Sequence, residues 1–112
     1  MSLIIFDVEA TCWKPTDPQG EQEIIELGAV KLDENLENSA EFDRFVRPIN
    51  NPVLSEFCSN LTHIVQKDLD NAALFNQVFE TFLEWIGHDY YRIGSLAITI
   101  SGSSSLIAGA MI

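Results

Sequence analysis

The sequence predicts an α/β domain in which a sheet formed by the first half of the chain is covered by a helix from the second half. Three β-rich runs precede Pro48, and residues 72–86 carry apolar side chains at helical spacing. With 112 residues, of which 46% are hydrophobic, the chain is long enough to bury one core. We therefore expect a single domain in which three strands precede the main helix and a fourth strand, over residues 90–95, follows it.

The first predicted strand begins near Leu3 and carries two carboxylates at alternate positions. Side chains along a strand point to opposite faces in turn, so Asp7 and Glu9 share one face while Phe6 and Val8 pack on the other. Carboxylate oxygens are the ligands that Mg²⁺ and Mn²⁺ prefer, and a strand end holds them rigidly. The pair is typical of half a metal site, and the alternative is the solvated face of an edge strand.

Two further strands complete a predicted antiparallel meander. A turn-rich loop over residues 14–22 contains two prolines and a glycine, and it leads into a β-rich run over residues 24–32. Acidic and amide residues at 33–35 end that run. The third predicted strand covers residues 42–46 and stops at Pro48.

Two helices are predicted after the meander, a short one over residues 54–60 and a longer one over residues 72–86 with Asn71 as its N-cap. The longer segment repeats apolar residues at spacings of three and four, and Gly87 closes it. We expect this stripe to cover the sheet as core rather than to form a ligand site. Its members are Phe75, Val78, Phe79, Phe82, Leu83 and Ile86.

Five short motifs occur in one order along the chain. They are FDVEATCW at residues 6–13, EIIELGAV at 23–30, FVRP at 45–48, LSEFC at 54–58 and LTHI at 61–64. Over about residues 3–94 this ordered set resembles the DEDDh 3′-5′ exonucleases of the DnaQ and RNase T superfamily, most closely the Eri-type and KapD-like branch. The resemblance implies an RNase H-like fold, a mixed sheet with flanking helices, and two-metal hydrolysis of phosphodiester bonds at a nucleic-acid 3′ end, with RNA favoured.

The resemblance also implies roles for the residues at the end of the first strand. Asp7 and Glu9 would be the catalytic carboxylates that bind two divalent cations, Mg²⁺ or Mn²⁺, with Glu9 bridging both ions or meeting the terminal nucleotide. Ala10 and Thr11 would meet the 3′-terminal sugar, because their small side chains leave backbone N–H groups free. The alternative for Ala10 is simple packing.

A second set of implied substrate contacts lies in the LTHI motif. Leu61, Thr62 and Ile64 correspond to the segment that wedges against the terminal base in the family, and the alternative is a core segment that ends a helix. In the family the histidine that acts as general base lies five residues before the final aspartate. His63 therefore fits a surface residue or one that supports a residue of the site, and His88 receives no role.

The chain departs from the family after its first two acids. Four acids and one histidine define these enzymes, and no charged residue follows Arg92. Residues 97–100 can be written with codons that change meaning when a single G is restored before them. In the shifted reading frame these codons encode Gly-Asp-Tyr-Asp, the family's second motif. We therefore predict that residues 1–94 are the N-terminal part of an exonuclease domain. Residues 95–112 would be an aberrant, frameshifted tail, and this truncated chain would be inactive as it stands. The alternative for residues 93–112 is a membrane anchor.

The charge of the chain restricts how it could hold a polyanion. Its 17 acidic and 6 basic residues give a net charge of −11, so nonspecific affinity for nucleic acid through lysine and arginine should be poor. Bound divalent cations would supply local positive charge, which favours gripping a short single-stranded 3′ end of RNA or DNA.

Two cysteines outside any metal spacing, without a signal peptide, predict an intracellular, cytoplasmic protein that does not act at a membrane. The competing function is a noncatalytic protein-interaction module built on the same half-fold. A truncated sheet would also expose an edge through which the chain could self-associate.

Overall fold

The protein, seen in a computed structural model that describes residues 1–95, is a mixed sheet with helices inserted before its last strand. Within these residues the strands are β1 (Ser2–Ala10), β2 (Ile24–Leu32), β3 (Asn38–Phe45) and β4 (Tyr90–Ser95). The helices are α1 (Glu56–Thr62), α2 (Gln66–Asp70) and α3 (Phe75–Ile86). The sheet order is β3-β2-β1-β4, with β1 antiparallel to β2, β2 antiparallel to β3 and β1 parallel to β4. The predicted α/β class and meander are confirmed.

The predicted aberrant tail lies outside the described residues except for Ser95. No helix within residues 1–95 is long and apolar enough to cross a membrane.

One face of the sheet forms the main core with α3. Ile4 and Val8 of β1 are buried there, and Phe6 packs against the same cluster, as the alternation of side chains predicted. The ring centroids of Phe42 and Phe82 lie 5.3 Å apart across this interface. The remaining buried members from the sheet and α3 are Leu27, Ala29, Val46, Val78, Ile86 and Ile93.

The apolar stripe on α3 is only partly used by the sheet. Val78, Phe82 and Ile86 are buried, whereas Phe75, Phe79 and Leu83 remain 42%, 42% and 50% exposed. Each set repeats at a spacing of four, so the two form neighbouring rows, and only one row reaches the sheet. The prediction of one stripe that covers the sheet is therefore wrong for the outer row.

Several element boundaries differ from the sequence-based expectation because polar side chains set them. Ser55 is the N-cap of α1, where its hydroxyl accepts from Cys58 N at 3.0 Å, so the helix begins at Glu56 and not at residue 54. Asn71 follows α2, a short helix that was not predicted, and donates to Lys67 O at 3.2 Å. The long helix consequently begins at Phe75 and not at residue 72.

The third strand is longer than predicted. It begins at Asn38 and ends at Phe45, and Val46 forms only an isolated bridge with Ala73. Residues 38–41, of which all but Ala40 are polar, join it because an outer strand needs only its backbone to pair with β2, and their side chains remain largely in solvent.

Candidate functional site

Asp7 and Glu9 lie together on the face of the sheet that points away from α3. Val8 between them is buried in the core, so the two half-buried carboxylates share the opposite face, as predicted. They line a pocket of about 370 Å³, which we call the acidic pocket, together with Glu26, Glu41 and Asp43.

The floor of the acidic pocket is open because its central position is a glycine. Gly28 lies opposite Asp7 in the β1–β2 register and opposite Asp43 in the β2–β3 register. These residues therefore form one row across three strands, with no side chain in the middle. A Cβ at Gly28 would lie 3.8 Å from the Asp43 Oδ1 atom, an ordinary contact, so a small side chain fits sterically but narrows the gap between the two carboxylates.

The acidic pocket is lined by five carboxylates, and the pKa values of the two on β1 are raised chiefly by burial. Burial raises the pKa of Asp7, partly offset by the hydrogen bond that Val8 N donates to Asp7 Oδ1 at 2.9 Å. Burial also raises the pKa of Glu9, and the charge of Asp7 adds to the effect. A divalent cation placed between these carboxylates would favour their charged forms, because it would offset both the effect of burial and the repulsion between Asp7 and Glu9.

Glu26 carries the largest carboxyl shift in this pocket. Burial, a hydrogen bond with Asp43 and the charges of Asp43, Glu9 and Asp68 raise the pKa of Glu26 to about 7. Glu26 lies directly opposite Glu9 in the β1–β2 register, so two like charges face each other across neighbouring strands.

The donor chemistry of Asp7 and Glu9 fits Mg²⁺ or Mn²⁺, since both residues offer hard carboxylate oxygens on one rigid strand. Within residues 1–95, no group of three or more histidine, cysteine, aspartate or glutamate side chains could hold a metal ion. Among these residues, Asp7 and Glu9 are therefore a pair of candidate ligands and not a full coordination set.

The two residues after Glu9 are held inside the protein. Ala10 is 1% exposed and Thr11 is 3% exposed. Thr11 N donates to Glu23 O at 2.8 Å, and the Thr11 hydroxyl accepts from Glu23 N at 2.9 Å. The expectation that this N–H is free for a substrate is wrong for Thr11, because β2 extends its pairing to this residue. A contact between substrate and the surface formed by Ala10 and Thr11 stays a prediction.

The residues of the LTHI motif have different environments. Leu61 is 49% exposed at the end of α1, whereas Ile64 is 3% exposed in a second core cluster. Thr62 is half-buried and its hydroxyl donates to Cys58 O at 2.8 Å. His63 ends α1 with a φ of 65° and is exposed, consistent with the surface position predicted for it. Of the predicted substrate contacts in this motif, only Leu61 offers a largely exposed side chain.

One carboxylate that the sequence did not single out joins the strand end to the segment leading into α1. The Glu23 carboxylate accepts from Ile49 N at 2.8 Å, from Asn50 N at 3.0 Å, and from Asn51 N at 2.7 Å and Asn51 Nδ2 at 3.1 Å. We call this arrangement the Glu23 clamp. Burial opposes ionisation of Glu23, but these donors outweigh it, so the pKa of Glu23 is lowered.

Two cysteines, one following the strand end and one on α1, lie at the contact between these two segments. Cys12 and Cys58 are both buried and free, and Cys58 Sγ donates to Ala10 O at 3.5 Å. Burial and the neighbouring Cys58 thiol raise the pKa of Cys12 to about 12, so the thiol stays protonated at neutral pH. With Ser55 Oγ donating to Cys12 O at 2.6 Å, these contacts hold α1 against the strand that carries the acids.

The order of motifs, the strand order and the paired carboxylates agree with one protein family. The RNase T type exonuclease family model matches residues 4–104. This chain belongs to the RNase T exonuclease family.

Individual members of the exonuclease family are similar in sequence and structure. ERI1 exoribonuclease 2 of Danio rerio is 42% identical over 104 residues, which are 92% of this chain and 19% of that protein. The 3′-5′ exoribonuclease 1 of Homo sapiens is 40% identical over 85 residues, 75% of this chain and 24% of that protein. The chain therefore spans less than a quarter of the length of these curated relatives.

A solved exonuclease structure confirms the predicted fold class. The nuclease domain of 3′hExo, a DEDDh family member bound to rAMP, matches with a TM-score of 0.76 and 36% identity, covering 84% of this chain and 50% of that one. The RNase H-like architecture and the DEDDh resemblance predicted from the sequence are thereby confirmed.

Sequence reasoning missed several residues of the candidate site. Glu26 and Asp43 reach the acidic pocket because the strand register places Glu26 beside Glu9 and Asp43 in one row with Asp7. The alternation of side chains within each strand, together with the predicted antiparallel meander, could have indicated this placement. Glu23 could not have been found in this way, because its partners lie 26 to 28 residues away in a loop.

Proposed function

We propose that this chain carries the strand end of a 3′-5′ exoribonuclease active site, in which Asp7 and Glu9 are ligands of two divalent cations, Mg²⁺ or Mn²⁺. Homologues of the chain are 3′-5′ exoribonucleases. The observation that carries the proposal is the placement of both carboxylates on one half-buried face, with their pKa values raised. Two cations bound there would stabilise the charges of the attacking and leaving oxygens.

The surrounding residues would orient the end of a single strand of RNA or DNA. The surface formed by Ala10 and Thr11 would lie against the terminal sugar, and exposed Leu61 would contact the terminal base. Thr62 and buried Ile64 would hold this contact in place rather than present side chains to the base. Asp7 and Glu9 would hold the cations in their charged forms, since a bound cation would offset their mutual repulsion.

We propose that this chain alone has little turnover, because Asp7 and Glu9 are two of the four acids that define the family. A paramagnetic Mn²⁺ titration followed by NMR line broadening tests the ligand role without requiring turnover. We expect broadening centred on residues 7–9, and a loss of Mn²⁺ affinity of at least about tenfold in Asp7→Asn. Asp17→Asn, in the exposed loop, is the charge-matched control. Equal affinity in both variants would overturn the ligand assignment.

Cleavage of a 5′-labelled oligoribonucleotide in the same Mn²⁺ buffer tests the second claim. We expect Mn²⁺ binding without measurable shortening of the oligonucleotide. Rapid shortening that Asp7→Asn abolishes would contradict low turnover while supporting the site.

We also propose that the chain self-associates through an exposed edge of its sheet, aided by the outer apolar row of α3. Phe75 and Phe79 stack with ring centroids 5.6 Å apart, and Leu83 continues the row along α3, all substantially exposed.

A further inference from the structure

We propose that a second pocket, at the outer strand β3, binds the phosphodiester backbone of the single strand whose 3′ end is directed to Asp7 and Glu9. This pocket, which we call the basic pocket, has a volume of about 560 Å³ and lies between β3 and the segment from α2 to α3. It is lined by Arg44, Phe45, Lys67 and Asn71, among others. The direction of the strand rests on the proposed function, whereas phosphate binding by the basic pocket does not.

Charge distinguishes the basic pocket from the acidic one. Arg44 and Lys67 are two of only six basic residues in the chain, and Asp68 is the one acid that lines the same pocket. The acidic pocket is lined by five carboxylates and no basic side chain. In a chain of net charge −11, a polyanion gains contact energy only where cations cluster, and the basic pocket is such a place.

Arg44 and Lys67 are available to a ligand. The ion pairs found among residues 1–95 both involve the amino terminus, so neither side chain is neutralised by a contacting carboxylate. Asp68 is partly engaged, since its Oδ2 atom accepts from Val65 N at 3.2 Å.

The other contacts of the pocket orient its donors. The Arg44 guanidinium lies 4.8 Å from the Phe42 ring centroid and donates one N–H to Asp43 O at 2.9 Å, which leaves further donors for phosphate oxygens. Asn71 Nδ2 donates to Lys67 O at 3.2 Å. The half-buried ring of Phe45 offers a flat apolar surface on which a base can stack.

The basic pocket borders the face of the sheet that carries the acids. Phe45 lies opposite Glu26 in the β2–β3 register and Glu26 lies opposite Glu9 in the β1–β2 register, so Phe45 shares that face, two strand spacings or roughly 10 Å from Glu9. Arg44 precedes Phe45 and its side chain leaves β3 on the other face, so a nucleic-acid strand meets it at the outer edge of β3. At a rise of about 3.4 Å per nucleotide, a strand ending at Glu9 spans the distance to Phe45 in roughly three nucleotides and reaches Arg44 beyond it.

The test compares two double variants that change the net charge equally. Arg44→Gln with Lys67→Gln removes the basic pocket, and Arg47→Gln with Arg92→Gln removes two exposed cations elsewhere. Fluorescence anisotropy with 5′-fluorescein octauridylate, at low salt in EDTA, measures affinity without a metal ion. We expect the first variant to lose about tenfold in affinity and about 1.4 in the slope of log K against log salt, which corresponds to two phosphate contacts. The control should change less than about twofold.

Equal losses in both variants would show a general charge effect and overturn the proposal, as would no loss in either. Competition by poly-glutamate as effective as by octauridylate would also contradict it, since a peptide has no phosphate. If the double variant unfolds, the single change at exposed Lys67 carries the same comparison against Arg92→Gln. Because EDTA removes metal ions from the anisotropy measurement, its result does not depend on the Mn²⁺ titration. A failed titration at Asp7 would refute the proposed function and leave the anisotropy result unaffected.

Discussion

Glu23 shows how one carboxylate can connect two segments that both border the site. Its backbone pairs with Thr11 at the end of the strand that carries the acids, and its side chain binds the loop at residues 49–51. That loop leads into α1. Rotation of α1 away from the strand end would therefore require the breaking of hydrogen bonds to a charged acceptor.

Removing the Glu23 carboxylate should destabilise the fold. We expect Glu23→Ala to lower the free energy of unfolding by about 1.5 kcal/mol, since four donors lose a charged acceptor at a largely solvated site. Glu23→Gln should lose less, because its amide oxygen still accepts. Urea denaturation at pH 7 measures both, with exposed Glu21→Ala as the control, expected within about 0.5 kcal/mol of the wild type.

The sign of the pH effect at Glu23 follows from its lowered pKa. The folded state favours the charged form, so the contribution to stability is complete above the ordinary pKa of 4.5 and is lost as the pH falls below it. A destabilisation by Glu23→Ala that stays constant down to pH 3 would contradict the clamp.

Glu26 should affect stability in the opposite sense. Its pKa rises from 4.5 to about 7 on folding, so the folded state loses stability as the pH rises between these values. We expect Glu26→Gln to raise the free energy of unfolding at pH 8 in EDTA by about 0.5 kcal/mol, with little effect at pH 5. Thermal melts at both pH values measure this, with exposed Glu41→Gln as control. A stabilisation of equal size at both pH values would count against the charge pair.

The sequence revealed those residues of the site whose placement follows from a pattern within one strand, and it did not reveal those placed by pairing between strands. Asp7 and Glu9 were predictable because a period of two is a local property of one strand. Glu26 and Asp43 join them through inter-strand register, and the involvement of Thr11 depends on an extension of the β1–β2 pairing past a bulge at Glu9 and Ala10. Such features require three-dimensional pairing information that a pattern within one strand does not contain.

At the scale of elements, α3 carries two apolar rows that should contribute differently to the free energy of unfolding. Phe82 is 4% exposed and contacts both Phe6 and Phe42, whereas Phe79 is 42% exposed. We expect Phe82→Ala to lower the free energy of unfolding by about 3–4 kcal/mol through loss of burial and creation of a cavity. Phe79→Ala should cost less than about 1 kcal/mol. Denaturant unfolding measures both variants. Equal losses of unfolding free energy in the two would contradict the assignment of the rows.

The elements themselves were predicted to different degrees. The first two strands and the long helix were found because hydrophobic residues recur over eight or more positions in each. The third strand was found only over residues 42–46, since residues 38–41 include a single apolar side chain. The fourth strand, at residues 90–95, was expected from the family resemblance. Helix α2 was missed, since five residues span little more than one turn and cannot show a stripe. Its presence moved Asn71 from the start of the long helix to the end of the short one.

At the scale of the whole molecule, the exposed row of α3 should make the described part of the chain associate with itself. We expect sedimentation velocity at roughly 10–500 μM to show a concentration-dependent increase in mass. Phe79→Lys with Leu83→Lys should abolish it, because charges on the row prevent apolar contact. Gln77→Lys with Thr81→Lys adds the same charge to exposed positions outside the row and serves as control. A wild-type chain that remains monomeric throughout would refute the proposal.

The strand order also constrains how the chain folds during synthesis. The meander of β1, β2 and β3 is complete once residue 45 has been made, but β1 pairs with β4 through contacts such as Leu3 with Arg92, far apart in sequence. A chain that emerges from the ribosome from its N-terminus therefore holds one edge of β1 unpaired while residues 46–89 are made. That interval is when a chaperone able to cover an open strand edge would benefit this protein most.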